Sequence, residues 1–297
     1  MNNRIHSDLA LESSYALRKN ITEAGEYSEA EKNGIKICRL DISSPALAKK
    51  YGRECGRYIT AMCGKIWLFS EEELNNASEV LGNELRETIH NISNAKITED
   101  FSVLVAGLGN AEITPDAIGP KVLSRLTVTR HITQISRDIF NKIGQCSVSA
   151  IAPGVLAQTG IETLELIKGA VDSTSPDVII AVDALAARSC ERLASTVQIS
   201  DCGINPGSGI GNLRMAINEE NLGVPVIAIG VPTVVDSATL VYDALERAGI
   251  EGVDSKLKDV LDNEKSFFVS PKESDVIVDS VSMMLARAID LALRAES

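Results

Sequence analysis

The sequence predicts an α/β fold, a largely parallel twisted sheet with helices on both faces and some insertions. Apolar strand-like runs alternate with amphipathic helical stretches, which is the pattern of crossover connections. At least one run, "DVIIAVD", is apolar without interruption until its final aspartate. The chain is also long enough for such a fold: 297 residues, 44% hydrophobic and 24% charged, bury about 75% of their unfolded surface without disulfide or metal staples.

In chain order, strands are expected at 35–42 (IKICRLDI), 101–107 (FSVLVAG), 147–152 (SVSAIA), 177–183 (DVIIAVD), 196–201 (TVQISD) and 224–230 (VPVIAIG). "EEELNNASEVLGNELRETIH" reads as a charged helix, and "TPDAIGPKVLSRL" and "TGIETLELIKGAVDS" as helices between strands. In the second of these, Thr159 and Glu162 have capping-box spacing. Another helix follows "VPTVVDSATL" and runs to about Ala248. A last helix near 279–295 places Val281, Met284, Leu285, Ala288 and Ala292 on one stripe, which suits core or a subunit contact better than a cofactor. Residues 1–30 read as a mobile polar extension and the charged stretch at about 250–280 as an insertion over the sheet.

Composition excludes several functions. A net charge of −12 opposes binding to nucleic acid phosphates. No apolar run approaches the roughly 18 residues of a membrane span, and the first residues lack the apolar core of a secretory signal, so a cytoplasmic location is expected. Six scattered cysteines have no zinc-clip spacing and are expected to be reduced and mostly buried. Three histidines, His6, His90 and His131, read as surface residues, which leaves nucleophile–histidine triads poorly supplied. Carboxylates are the better catalytic candidates, with no metal and no cofactor.

"GLGNAEITPDAIGP" (Gly107 to Pro120) begins like a phosphate-binding turn, but Glu112 stands where a dinucleotide fingerprint needs its third glycine. What is left is a strand, a tight turn, Thr114 as N-cap, Pro115 at the first helical position and Asp116 in the first turn. Asp116 can simply complement the helix dipole. Asp183 changes that weighting, because it ends another strand at the same carboxyl edge, where open parallel sheets bind ligands. Two facing carboxyls can share a proton, one as acid and one as base. The helix end favours ionised Asp116, which makes it the better candidate for the base; Asp183 can then be the acid, and the sequence leaves the assignment open. The glycine-rich stretch "DCGINPGSGIGN" follows a further strand, and its Gly203, Gly207, Ser208, Gly209 and Gly211 can present backbone amides to a substrate or oxyanion, or can form an adaptable turn.

These segments, together with "TGIET", "AVDALAARSCERLAS" and "GVPVIAIGVPTVVD" in this order, resemble the germination proteases of spore-forming bacteria over about residues 100–240. The resemblance implies an endopeptidase that degrades small acid-soluble spore proteins in the forespore or spore core. It further implies a zymogen that removes its own pro-segment, a homotetramer, and two essential aspartates falling on Asp116 and Asp183. "HSDLALE" (His6 to Glu12) resembles the processing site, which predicts a cut between Asp8 and Leu9, hence a pro-segment of 1–8 and one α/β peptidase domain of 9–297. A fainter likeness to hydrogenase-maturation peptidases and their phosphorylase/hydrolase-like sheet rests on G-x-G-N followed by a carboxylate. Those enzymes add a later histidine ligand, and none follows His131. Cys202 stands where the family pattern has threonine. The alternatives are a metallopeptidase of that second kind, or a non-enzymatic α/β module binding a small ligand.

Overall fold

The computed structural model describes residues 7–15, 27–207, 214–250, 254, 256, 257, 260, 261 and 267–296. Strand β1 (Tyr27–Lys32) turns at Asn33 and Gly34, with φ of 50° and 77°, into β2 (Ile35–Ile42). Positive φ at both central residues is what a two-residue hairpin turn of type I′ demands. Helix α2 (Pro45–Tyr51) leads to β3 (Gly56–Met62), and α3 (Glu71–Ser93) follows. Ser70 and Glu73 form a capping box at the start of α3, and Asn94 closes it in the left-handed conformation.

Next come β4 (Ser102–Gly107), a 3₁₀ turn (Thr114–Asp116), α4 (Ile118–Leu123), α5 (Arg130–Ile135), α6 (Arg137–Ile143) and β5 (Ser147–Ile151). Helices α7 (Leu156–Thr159) and α8 (Thr163–Thr174) precede β6 (Val178–Ala187) and β7 (Thr196–Ser200). The chain continues through α9 (Glu219–Leu222), β8 (Val226–Asp236), α10 (Ser237–Arg247), β9 (Phe268–Val269) and α11 (Ser274–Ala292). Before all of these lies α1 (Ala10–Tyr15).

The strands form one sheet in the order β1-β2-β3-β7-β8-β6-β4-β5, with β9 pairing on β8. Only β5, β4, β6 and β8 are mutually parallel; the pairs β1–β2, β2–β3, β3–β7, β7–β8 and β8–β9 are antiparallel. The expected largely parallel sheet is therefore corrected to a mixed one. Parallel neighbours need a crossover, which α4–α6 supply between β4 and β5, whereas Asn33–Gly34 is too short for one and makes β1 and β2 antiparallel.

Helices do cover both faces of the parallel part. Val103, Val105, Val178, Ile180 and Val182 join a core with α3, α4 and α11, while Leu104, Ala106, Ile179 and Ala181 pack with Leu164 and Ile167 of α8. The stripe Val281, Met284, Leu285, Ala288 and Ala292 is core, buried within the chain. At Gly82 of α3 a Cβ would come 2.9 Å from the Ala288 carbonyl, so α3 and α11 touch backbone to backbone there.

Several expected boundaries move. Strands β6 and β8 run on to Ala187 and Asp236, so Asp183 lies inside a strand, not at its end. Ile113 takes the N-cap place and Thr114 caps nothing; Glu162 and Glu165 form the capping box expected of Thr159 and Glu162. Residues 7–12 are docked on the sheet, contrary to the mobile extension, with Leu9 and Ala10 fully buried. Within 250–280, Phe268–Val269 extends the sheet and α11 begins at Ser274; much of the rest of that stretch lies outside the described residues.

Gly119 sets how closely α4 approaches the sheet. A Cβ there would sit 2.3 Å from the Leu108 carbonyl oxygen, 2.4 Å from the Leu108 nitrogen and 2.6 Å from the Val182 carbonyl oxygen. Backbone cannot yield as a side chain would, so Gly119→Ala is expected to destabilise the protein by at least about 2 kcal/mol. Denaturant unfolding checks this; a change below about 0.5 kcal/mol would contradict it.

Candidate active site

The site exists because two neighbouring strands end at different places. β4 stops at Gly107, opposite Val182, and its last bond on this side is Leu108 N–H to the Val182 carbonyl at 2.8 Å. β6 continues to Ala187, still paired on its other edge with β8. Successive peptide groups point to opposite edges, so the amides of 184, 186 and 188 face the side that β4 has vacated.

Each of those amides is taken by a carboxylate. Ala184 N–H donates to Asp183 at 2.9 Å, Ala186 N–H to Asp8 at 2.8 Å, and Arg188 N–H to Glu12 at 2.7 Å. In addition, the Asp8 amide donates to the Ala186 carbonyl at 2.9 Å. The N-terminal segment thus fills the edge that β4 leaves open.

Asp116 reaches the same place from the turn after β4. Gly109, at φ 101°, lets the chain fold back so tightly that a Cβ would lie 2.1 Å from the Asp116 carbonyl oxygen. The Asp116 carboxylate accepts the Asn110 amide at 2.7 Å. Gly107 and Gly119 make the close helix–strand contact that a third fingerprint glycine would make, though Gly119 stands well past that position.

Asp116 and Asp183 line one cavity of about 1030 Å³ together with Asp8, Gly203, Gly207 and Thr233. Ser208, Gly209 and Gly211 lie outside the described residues. Asp183 is 6% exposed. Burial pushes its carboxyl well above the usual range, the charge of Asp116 pushes it further, and Asp8 adds to the effect. Burial also raises Asp116, against the Asn110 N–H bond, which favours its charged form. The expected lowering by a helix end is thus overridden by desolvation, since Asp116 closes a 3₁₀ turn. Asp116 is the more readily ionised of the two.

Cys202 also lines the cavity, and its thiol donates to the Tyr58 hydroxyl at 3.0 Å, not to either aspartate. Cys38 and Cys146 are buried, Cys63 and Cys202 half-buried, and Cys55 and Cys190 exposed; all six are free thiols. His90 is half-buried at the surface, on the Glu296 carboxylate, and His131 is exposed; His6 lies outside the described residues. Among the described residues no group of three or more His, Cys, Asp or Glu side chains is arranged to hold a metal. Nor is any helix among them long and apolar enough to cross a membrane.

Two residues here escaped the sequence reading. Gln198, in the middle of β7, donates from Nε2 to the Asp8 carbonyl at 3.3 Å and accepts the Ala10 amide at 2.7 Å. Thr233 sits where the β6–β8 register slips, at a bulge, and its buried hydroxyl has no hydrogen-bond partner among the described residues.

Residues 8–249 match the family described as germination protease. The chain belongs to the germination protease family. Relatives named germination protease include that of Clostridium perfringens (strain ATCC 13124), 40% identical across 98% of this chain and 95% of its own. That of Caldanaerobacter subterraneus subsp. tengcongensis is 38% identical across 98% and 94%. The Priestia megaterium protein is 42% identical across 82% of this chain and 66% of its own. Membership of the germination proteases makes the chain a peptidase and sets aside the non-enzymatic alternative.

The electrostatics of Asp183 have a measurable consequence. In the unfolded chain its carboxyl ionises near the ordinary 3.8, whereas in the fold it keeps its proton to higher pH. Above pH 3.8 the folded state holds more protons, so stability falls as pH rises until the folded value is passed. Asp183→Asn is expected to flatten that fall and to stabilise the protein at neutral pH. Denaturant midpoints measured from about pH 4 to about pH 8 check this, and an unchanged slope contradicts it.

Proposed function

We propose that this germination protease is the endopeptidase that degrades small acid-soluble spore proteins in the spore core. It is made as a zymogen that cuts its own Asp8–Leu9 bond, with residues 1–8 as the pro-segment of a single peptidase domain, 9–297. The reading rests on one observation above the rest: Asp8, the residue before the bond, lines the same cavity as two carboxyls of unequal acidity.

In this mechanism ionised Asp116 takes a proton from water as the water oxygen attacks the carbonyl carbon of Asp8. Gln198 Nε2, 3.3 Å from that carbonyl oxygen, donates to it as negative charge develops. Asp183, protonated through burial and the neighbouring charge, gives its proton to the Leu9 nitrogen as the C–N bond breaks. Gly203 and Gly207 border the cavity and belong to the loop proposed to face the substrate. Spore proteins bind in place of residues 8–12. The homotetramer belongs to the same proposal with the family as its support, since the α11 stripe is core.

Asp116→Asn and Asp183→Asn are each expected to lower turnover of a spore protein by about 10²- to 10⁴-fold without loss of fold, and Gln198→Leu by about 10²- to 10³-fold in kcat. Single-turnover assays with circular dichroism as the folding control check all three; full activity in either aspartate variant removes that residue from the mechanism. N-terminal sequencing of active enzyme is expected to begin at Leu9, and an active form that keeps Asp8 contradicts the self-cut.

A further inference from the structure

Glu12 lies on the segment of lowest sequence number described, yet its side chain is 6% exposed. One carboxylate oxygen accepts the Arg188 amide at 2.7 Å, the other the Ser189 amide at 3.1 Å, and Arg192 Nε stands 3.5 Å away. The Ser7 hydroxyl also bonds to it. The receptor is a short turn that closes on itself, with the Arg192 amide on the Ser189 carbonyl at 3.1 Å. Consecutive amides plus a guanidinium make a preformed anion site.

The residues between the bond and Glu12 are equally fitted. Leu9 packs among Leu185, Leu193 and Val235, and fully buried Ala10 packs against Tyr51 and Tyr58. Gln198 holds the backbone on either side of the bond, accepting the Ala10 amide and donating to the Asp8 carbonyl. An N-terminal anchor needs apolar burial only. Here a large, a small and an acidic side chain each have a complementary place in fixed register from the cut bond, as a sequence-selective substrate requires.

We propose that the Arg188–Arg192 turn is the subsite that selects a carboxylate on the protein substrate four residues past the cut bond, and that Glu12 occupies the place of that substrate carboxylate. The inference rests on the Asp8–Leu9 cut proposed above. Its recognition target is a chain with a bulky apolar residue at the first position past the cut, a small one at the second and an acidic one at the fourth.

The test uses the full chain carrying Glu12→Gln, which weakens the resident segment. Two labelled peptides copying residues 7–15, one native and one with Gln at the place of Glu12, are titrated onto it by fluorescence anisotropy, with cleavage followed in parallel. The native peptide is expected to bind about 10- to 100-fold more tightly. Adding Arg192→Gln is expected to remove most of that preference, and Arg192→Lys to restore part of it. Equal binding of the two peptides, binding of neither, or a preference untouched by Arg192→Gln overturns the proposal. A retained preference with no cleavage supports the subsite and counts instead against the aspartate mechanism.

Discussion

The site depends on a mismatch in length between two strands. A sheet interior satisfies its amides in pairs, and a buried amide without a partner costs on the order of 1–3 kcal/mol. Because β4 stops at Gly107 and β6 goes on to Ala187, a row of amides is left facing a vacancy inside the protein. Carboxylates from Asp183, Asp8 and Glu12 fill that row. The edge that must be satisfied for folding is therefore also a surface on which a peptide can be laid.

The same vacancy explains the electrostatics. Asp183 keeps its backbone bond but loses solvent, and it shares its surroundings with Asp116 and Asp8. Concentrating negative charge where water is scarce favours protonation of the most buried member. Asp116 is held by the Asn110 amide and stays closer to ordinary behaviour. Unequal environments, not different residue types, separate the two carboxyls, as acid–base chemistry requires.

Much of this was legible in the chain. The parallel strands announced themselves as apolar runs, and Asp116 and Asp183 could be paired because both follow such runs near their carboxyl ends. What escaped has physical reasons. β1 is "YSEAEK", too polar to read as a strand, although the Asn33–Gly34 pair after it signals a hairpin. Gln198 looks like an accident within "TVQIS" until the N-terminal segment is seen lying against it. Asp183 reads as a strand end because sequence gives the length of a strand but not that of its neighbour. Gly119, far past the turn, does the packing expected of an earlier glycine.

The buried Leu9–Ala10 pair carries a consequence for timing. Hydrolysis at Asp8–Leu9 would break one bond and none of the contacts on its carboxyl side: Leu9 in its apolar seat, Ala10 on Gln198, Glu12 on its turn. Burial of a leucine alone holds such an end with about 1.5–3 kcal/mol, and the freshly made ammonium would lie beside carboxylates that attract it. The scission product would then be tethered to its own enzyme as a resident inhibitor, and the onset of activity would be set by how fast that tail peels away.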